Sequence, residues 1–235
     1  SFPTRRSSDL ALERDVSAVV KAAGGTVLGG VKAPINTNDF SSFLLQAQAS
    51  KAKVIGLANA GGDTTNSIKQ AAEFGITAGG QKLAALLLFI NDVHSLGLKT
   101  AQGLTFTESY YWDLNDKTRA FSKRFAEKFK GKMPTMVQAG QYSSIYHYLK
   151  AVKAAGTDDA AAVVAAMKTM DVNDFFLRNG KLRDDNRMIH DMYLMQVKKQ
   201  SESKYPWDYY SLKATIPAAE AFQPLSASKC SMVKK

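Results

Sequence analysis

The residues from Asn59 to Thr65 gather an amide, a carboxylate and two hydroxyls around the pair Gly61-Gly62. These groups make hydrogen bonds, and none of them is a nucleophile set beside a base. On a loop whose glycines let backbone N–H groups approach a guest, they suit reversible capture of a small molecule. The three histidines, His94, His147 and His190, are scattered, and none has a second His or Cys at metal-ligand spacing. No G-x-S-x-G elbow, P-loop or G-x-G-x-x-G is present. Cys230 is the only cysteine, so no disulfide forms within the chain. We therefore expect no enzymatic activity, no metal and no cofactor.

The elements that position this loop are readable on both sides of it. Residues 53–58 are a short apolar run rich in β-formers, and after Gly61-Gly62 the apolar positions Ile68, Ala71, Ala72 and Phe74 recur at helical spacing until Gly75. Asp63, Thr64 or Thr65 is the expected cap. Strand, loop and helix in this order form ligand clefts beyond the carboxyl ends of parallel strands, where helix N-termini offer N–H groups and partial positive charge. Asn59, Ala60, Gly61, Asp63 and Thr64 are accordingly candidate ligand-binding residues.

The alternation continues outward. Helices are predicted over 12–23, 39–50, 63–74 and 93–98, and strands over 26–31, 53–58, 82–90 and 102–107, an α/β pattern with a doubly wound parallel sheet. Three helices then follow in succession, over 118–129, 137–155 and 160–170. The second carries a stripe of Ile145, Tyr148, Leu149 and Val152 that must cover something. A strand is predicted over 192–197. The tail from 201, with Pro206, Pro217 and Pro224, reads as an irregular wrap.

Composition narrows the class. With 45% hydrophobic and 22% charged residues in 235, the chain reads as soluble and globular, and its apolar stretch over 83–90 is far too short to span a bilayer. The net charge is +10, but 31 basic residues are interspersed with 21 acidic ones. The densest basic groups, over 123–132 and 178–187, contain acids or Gly and form no stripe with interleaved aromatics. A solvated basic face is expected rather than a nucleic-acid interface.

Residues 1–10, SFPTRRSSDL, have no apolar period. They resemble the translation of a common short-read sequencing adaptor. The expectation is that this segment is artefactual, that the natural chain starts at Ala11, and that the gene was cut at its 5′ side.

From Ala11 on, the chain resembles the second half of a branched-chain-amino-acid-type substrate-binding protein of an ABC importer. The resemblance is carried by DFSSFLLQAQASKAKVIGLANAGGDTTNSIKQAAEFGI, FINDVHSLGLKTAQGLTFTESYYWDLND, TRAFSKRFAEKF and YPWDYYSLKATIP. It implies a type I periplasmic-binding-protein fold, with two α/β lobes joined by three crossovers, a small-molecule ligand between them, and a membrane permease as partner. The full-length form would be a monomer at the periplasmic or extracellular face of the inner membrane. On this plan residues 11–104 and 188–235 form the carboxy-terminal lobe. Residues 105–187 hold the hinge crossings and the helices of an amino-terminal lobe lacking most of its strands, so the helices should expose apolar area. The resemblance places an aromatic at Ala60 or Gly61 in amino-acid-binding relatives, and an acid that pairs with a ligand ammonium near Phe89, Ile90, Asn91 or Asp92. It sets Tyr110, Tyr111 and Trp112 at the hinge, where one ring, Tyr110 among them, stacks on a ligand or packs between lobes. With Ala60 and Gly61 in place of an aromatic, an aromatic or other organic acid, or an amide, is expected in preference to an α-amino acid. The same fold also serves ligand-sensing domains of regulators and receptors, which is the alternative.

Overall fold

The structure, a computed structural model, describes residues 7–233. In chain order the elements are α1 (Ser7–Ala22), α2 (Ser41–Ala49), β1 (Val54–Leu57), α3 (Gly62–Glu73), β2 (Lys82–Ala85), α4 (Ile90–Leu96), α5 (Leu98–Ala101) and β3 (Thr105–Glu108). There follow α6 (Asp116–Lys128), α7 (Met136–Ala155), α8 (Ala160–Thr169), β4 (Lys181–Leu182), β5 (Met188–Ile189), β6 (Met192–Val197), β7 (Tyr210–Ile216) and α9 (Ala218–Ala221).

The sheet order is β1-β2-β3-β6-β7, and β4 pairs only with β5, antiparallel. β1 and β2 run parallel with Val54 opposite Lys82 and Leu57 opposite Ala85, and β2 runs parallel to β3 through Ala84 and Thr105. Parallel strands need helical crossovers, and α3 supplies the one between β1 and β2, burying Ile68 and Ala71.

The chain divides into two compact units. One holds the residues up to Thr107 with Met195–Ser211, the other Glu108–Leu194 with the residues from Leu212 on. The chain therefore passes between units three times, inside β3, β6 and β7. The expected division put all of 188–235 in the first unit. Only 195–211 belong there, because β6 and β7 each change unit partway along.

Four local expectations are corrected. The first helix begins at Ser7, not at residue 12, so residues 7–10 continue into it; they contain no Gly or Pro, and Asp9 sits in the first turn, where a carboxylate favours the helix dipole. The rest of the expected artefactual segment lies outside the described residues. Residues 26–31 form no strand: Gly29 and Gly30 weaken β structure, and the stretch is largely exposed without a ladder. β2 ends at Ala85 rather than continuing to Ile90, because β1 stops at Leu57 and the last bond of that edge runs from Leu86 N–H to Leu57 O at 3.1 Å. The tail is not wholly irregular, since Tyr210–Ile216 pairs into the sheet as β7.

In the second unit the core gathers Tyr110, Phe121 and Ala139, with Trp112, Phe125, Met136, Phe175 and Phe176 against it. α7 turns its small side inward, burying Ala139, Ser143, His147 and Ala151, while Ile145 and Leu149 remain 49% and 56% exposed. His147 accordingly lies in the interior, its Nε2 3.1 Å from Met167 O. The outward apolar stripe of α7 is what the sequence led us to expect.

Candidate functional site

Because β1 and β2 end side by side, the segments that leave them, 58–61 and 86–89, emerge at one edge of the sheet. Gly61 makes the turn into α3 with φ +61° and ψ −132°, a conformation that side-chain-bearing residues strongly disfavour. It is also the N-cap. The expected caps are corrected: no side chain caps α3, and Asp63, Thr64 and Thr65 fall inside its first turn. The first intrahelical bond runs from Thr65 N–H to Gly61 O at 3.1 Å, so the N–H groups before it lie outside the helical ladder.

Asn59 is the centre of a side-chain network. Its Nδ2 donates to Ser67 Oγ at 3.0 Å, its Oδ1 accepts from Thr64 Oγ1 at 2.9 Å, and Ser67 Oγ donates to Asp63 O at 2.7 Å. Thr64 and Ser67 are buried. The amide of Asn59 thus fixes the loop against α3, which leaves Ala60, Gly61 and Gly62 as the accessible part of the turn. Asp63 is buried too, and Oδ2 accepts the Asn36 N–H at 3.3 Å. Gln70 adds a second tie to the same linker, accepting from Phe40 N–H at 2.7 Å and donating to Asn38 O at 2.8 Å.

At the end of β2, Phe89 precedes α4 and is half-buried, and Asn91 is exposed. Asp92 is the third helical residue. Its Oδ2 accepts the Phe89 N–H at 2.9 Å and Oδ1 accepts from Asn91 Nδ2 at 3.3 Å. Burial pushes the Asp92 carboxyl above its ordinary value of 3.8, opposed by the Phe89 N–H, which favours the charged form. A folded-state pKa above the unfolded one means that folding takes up a proton, so this group favours the native state at low pH. That contribution fades as pH rises from the ordinary value through the raised one. Asp92→Asn keeps an acceptor for Phe89 and loses the titration. Urea unfolding from pH 3.5 to 7 should show wild type losing stability relative to the variant as pH rises; a constant difference would contradict the raised value.

Tyr110 belongs to the other unit and is buried at 1% exposure. Its hydroxyl donates to Thr118 O at 3.1 Å and accepts from Ser122 Oγ at 2.6 Å. Its ring packs on Phe121, Phe175 and Phe176. Burial raises its pKa, opposed by the Ser122 hydrogen bond. As a ligand platform Tyr110 is therefore corrected: it is a core residue, because a phenol with satisfied partners is stable inside an aromatic cluster. Sequence reasoning missed Glu108, which is buried at the end of β3. Period-2 alternation in TFTE, with Phe106 and Glu108 on one buried face, is the signal that could have found it.

His94 is exposed and stacks on Trp207 at 4.0 Å, with Nδ1 2.7 Å from the Tyr209 hydroxyl. Among the described residues no group of three His, Cys, Asp or Glu could hold a metal ion. Nor is any helix there long and apolar enough to cross a membrane.

Residues 5–202 match the family described as "Periplasmic binding protein". A solved periplasmic binding protein from Burkholderia mallei is 55% identical, with TM-score 0.91 over 97% of this chain and 60% of its own. A branched chain amino acid ABC transporter periplasmic ligand-binding protein from Burkholderia xenovorans is 44% identical, with TM-score 0.86 over 94% of this chain and 59% of its own. A solute binding protein of an ABC transporter from Rhodopseudomonas palustris, solved with p-hydroxybenzoic acid, is 22% identical with TM-score 0.80, over 96% of this chain and 61% of its own, a likeness of fold alone. The chain thus spans about 60% of the length of these proteins. Among curated proteins there is no match.

Proposed function

This chain belongs to the periplasmic binding protein family, and on that premise we propose that it is part of the extracytoplasmic solute-binding component of an ABC importer, which holds a small organic ligand between two lobes and delivers it to a membrane permease. One observation carries the reading: the in-register parallel pairing of β1 and β2, which brings Ala60, Gly61 and Gly62 to the same sheet edge as Phe89, Asn91 and Asp92. The mechanism is a population shift. Contacts made only when both lobes meet the ligand favour the closed form, and no covalent step is needed. The outward stripe of α7 supports the reading, since it is a surface that a further sheet layer would cover, and the chain spans 60% of the length of its Burkholderia mallei relative.

The carboxylates at this edge are engaged by backbone donors, Asp63 by Asn36 and Asp92 by Phe89. A ligand ammonium would have to compete with those bonds. The turn offers peptide N–H groups beside a helix N-terminus, which suit a carboxylate or an amide oxygen. The ligand class that fits is an aromatic or other organic acid, or an amide. Thermal-shift measurement of the full-length gene product against benzoates, short aliphatic acids, carboxamides and branched-chain amino acids tests this. A ligand at about a hundred times its Kd adds roughly 2.7 kcal/mol, a rise of about 3–5 °C for the longer full-length product. Tight binding of leucine would overturn the ligand class, and silence across the panel would contradict the transport role.

A further inference from the structure

The densest basic segment has no role in the ligand site, and its charges are concentrated on the exposed side of α6 and the turn after it. Arg119 is pinned there by Asp113 at 2.9 Å and Asp116 at 2.6 Å. Lys123, Arg124, Lys128, Lys130 and Lys132 are exposed, and among the described residues none of them takes part in an ion pair. Glu127 is the one acid among them. Like charges this close raise each other's free energy, a standing cost that a negative partner would relieve.

One of these cations, Lys123, edges a concavity. A groove of about 630 Å³ is lined by Trp112, Ala126, Gly131 and Met133, with Arg119, Lys123 and Glu127 as its polar members. Gly131 has φ +74°, and nothing lies within 4 Å of where its Cβ would be, so no atom crowds the groove at that point. The groove is therefore largely apolar, with Lys123 as its unpaired cation and Glu127 as its acid, since Arg119 is already paired. The cations continue past it, and from Lys123 to Lys132 they outreach a single small anion: the helical part alone, Lys123 to Lys128, advances about 7.5 Å at 1.5 Å per residue.

We propose that this groove is a docking site for an acidic peptide segment of a partner protein, with one apolar side chain seated against Trp112 and Met133 and its carboxylates along Lys123, Lys128 and Lys132. Charge complementarity selects the sign of the partner, and concavity selects its kind. A bilayer surface would meet the protruding lysines and leave Trp112 and Met133 uncovered, whereas an extended peptide reaches both. The site lies wholly within the second unit and is independent of the ligand reading.

Fluorescence anisotropy with the 235-residue chain tests this. The probes are labelled decapeptides of alternating glutamate and leucine, alternating glutamate and serine, and alternating lysine and leucine. The glutamate–leucine peptide should bind, the serine version at least fivefold more weakly, and the lysine version not at all. Raising salt from 50 to 300 mM should weaken binding at least tenfold. Lys123→Glu, Lys128→Glu and Lys132→Glu combined should weaken it at least tenfold with an unchanged circular dichroism spectrum, while Lys21→Glu with Lys69→Glu in the other unit should change it less than twofold. Equal loss in both charge variants would reduce the effect to net charge and overturn the proposal. So would absence of peptide binding, equal binding of the serine peptide, or binding only to phosphatidylglycerol vesicles.

Discussion

Phe121→Ala should lower the stability of the second unit by about 4 kcal/mol, the usual loss when a large aromatic is deleted from a core. Phe121 is 5% exposed and lies face to face with Phe175 at 3.7 Å between centroids. It also meets Tyr110 and Tyr142 edge-on. The alanine takes the face-to-face partner from Phe175 and one edge contact each from Tyr110 and Tyr142, and these lost aromatic contacts add to the loss from burial. Phe121→Leu keeps most of the volume and should cost less than half as much. Urea unfolding followed by fluorescence in a Trp207→Phe background, where Trp112 is the remaining tryptophan, reads the unit directly. A loss below about 1 kcal/mol for the alanine variant would mean that the stack is not a core.

Lys198→Met should cost about 3 kcal/mol, the lower end of the usual loss when a buried charge is deprived of its partner. The Asp208 side chain is 2% exposed and is held by the Lys198 ammonium, with the Lys204 N–H donating to its other oxygen at 3.0 Å. Removing the ammonium strands a carboxylate between β6 and β7, where Lys198 N–H also donates to Tyr209 O at 2.8 Å. Lys198→Met combined with Asp208→Leu should recover at least half of the loss, because no charge is then left buried. Chemical denaturation of wild type, both single variants and the double variant completes the cycle. A double variant no more stable than Lys198→Met would contradict a buried, mutually dependent pair.

The parts of the fold that were legible in the sequence are those specified locally. β1, the Gly61-Gly62 turn and α3 announce themselves within twenty residues, because an apolar run, two glycines and a helical period adjoin one another. β6 matched over Met192–Val197 for the same reason. What could not be read depends on partners far along the chain. An apolar run such as 83–90 looks like a long buried strand, but where it stops is decided by the end of β1, some thirty residues earlier. The run 26–31 has β-forming residues and no ladder. β7 was hidden because Pro206 and Pro217 flank it, and most of its residues lie toward solvent. At the site, residue types suggested hydrogen bonding at Asn59 and Thr64, yet not that they would bond to each other. The ties from Asn36 to Asp63 and from Gln70 to Asn38 and Phe40 join residues 27 to 32 positions apart, beyond any motif. Tyr110 shows the converse limit, since a ring beside a hinge and a ring inside a core have the same letters around them.

The central claim is that the carboxyl ends of β1 and β2 form one wall of a ligand cleft. Amide hydrogen exchange with and without the ligand that gives the largest thermal shift tests it most directly. Protection should rise most at residues 60–64 and 89–92, which a bound ligand would shield from solvent and hold against local opening. A ligand that binds tightly while leaving those amides unchanged, and protects only other parts of the chain, would contradict the account.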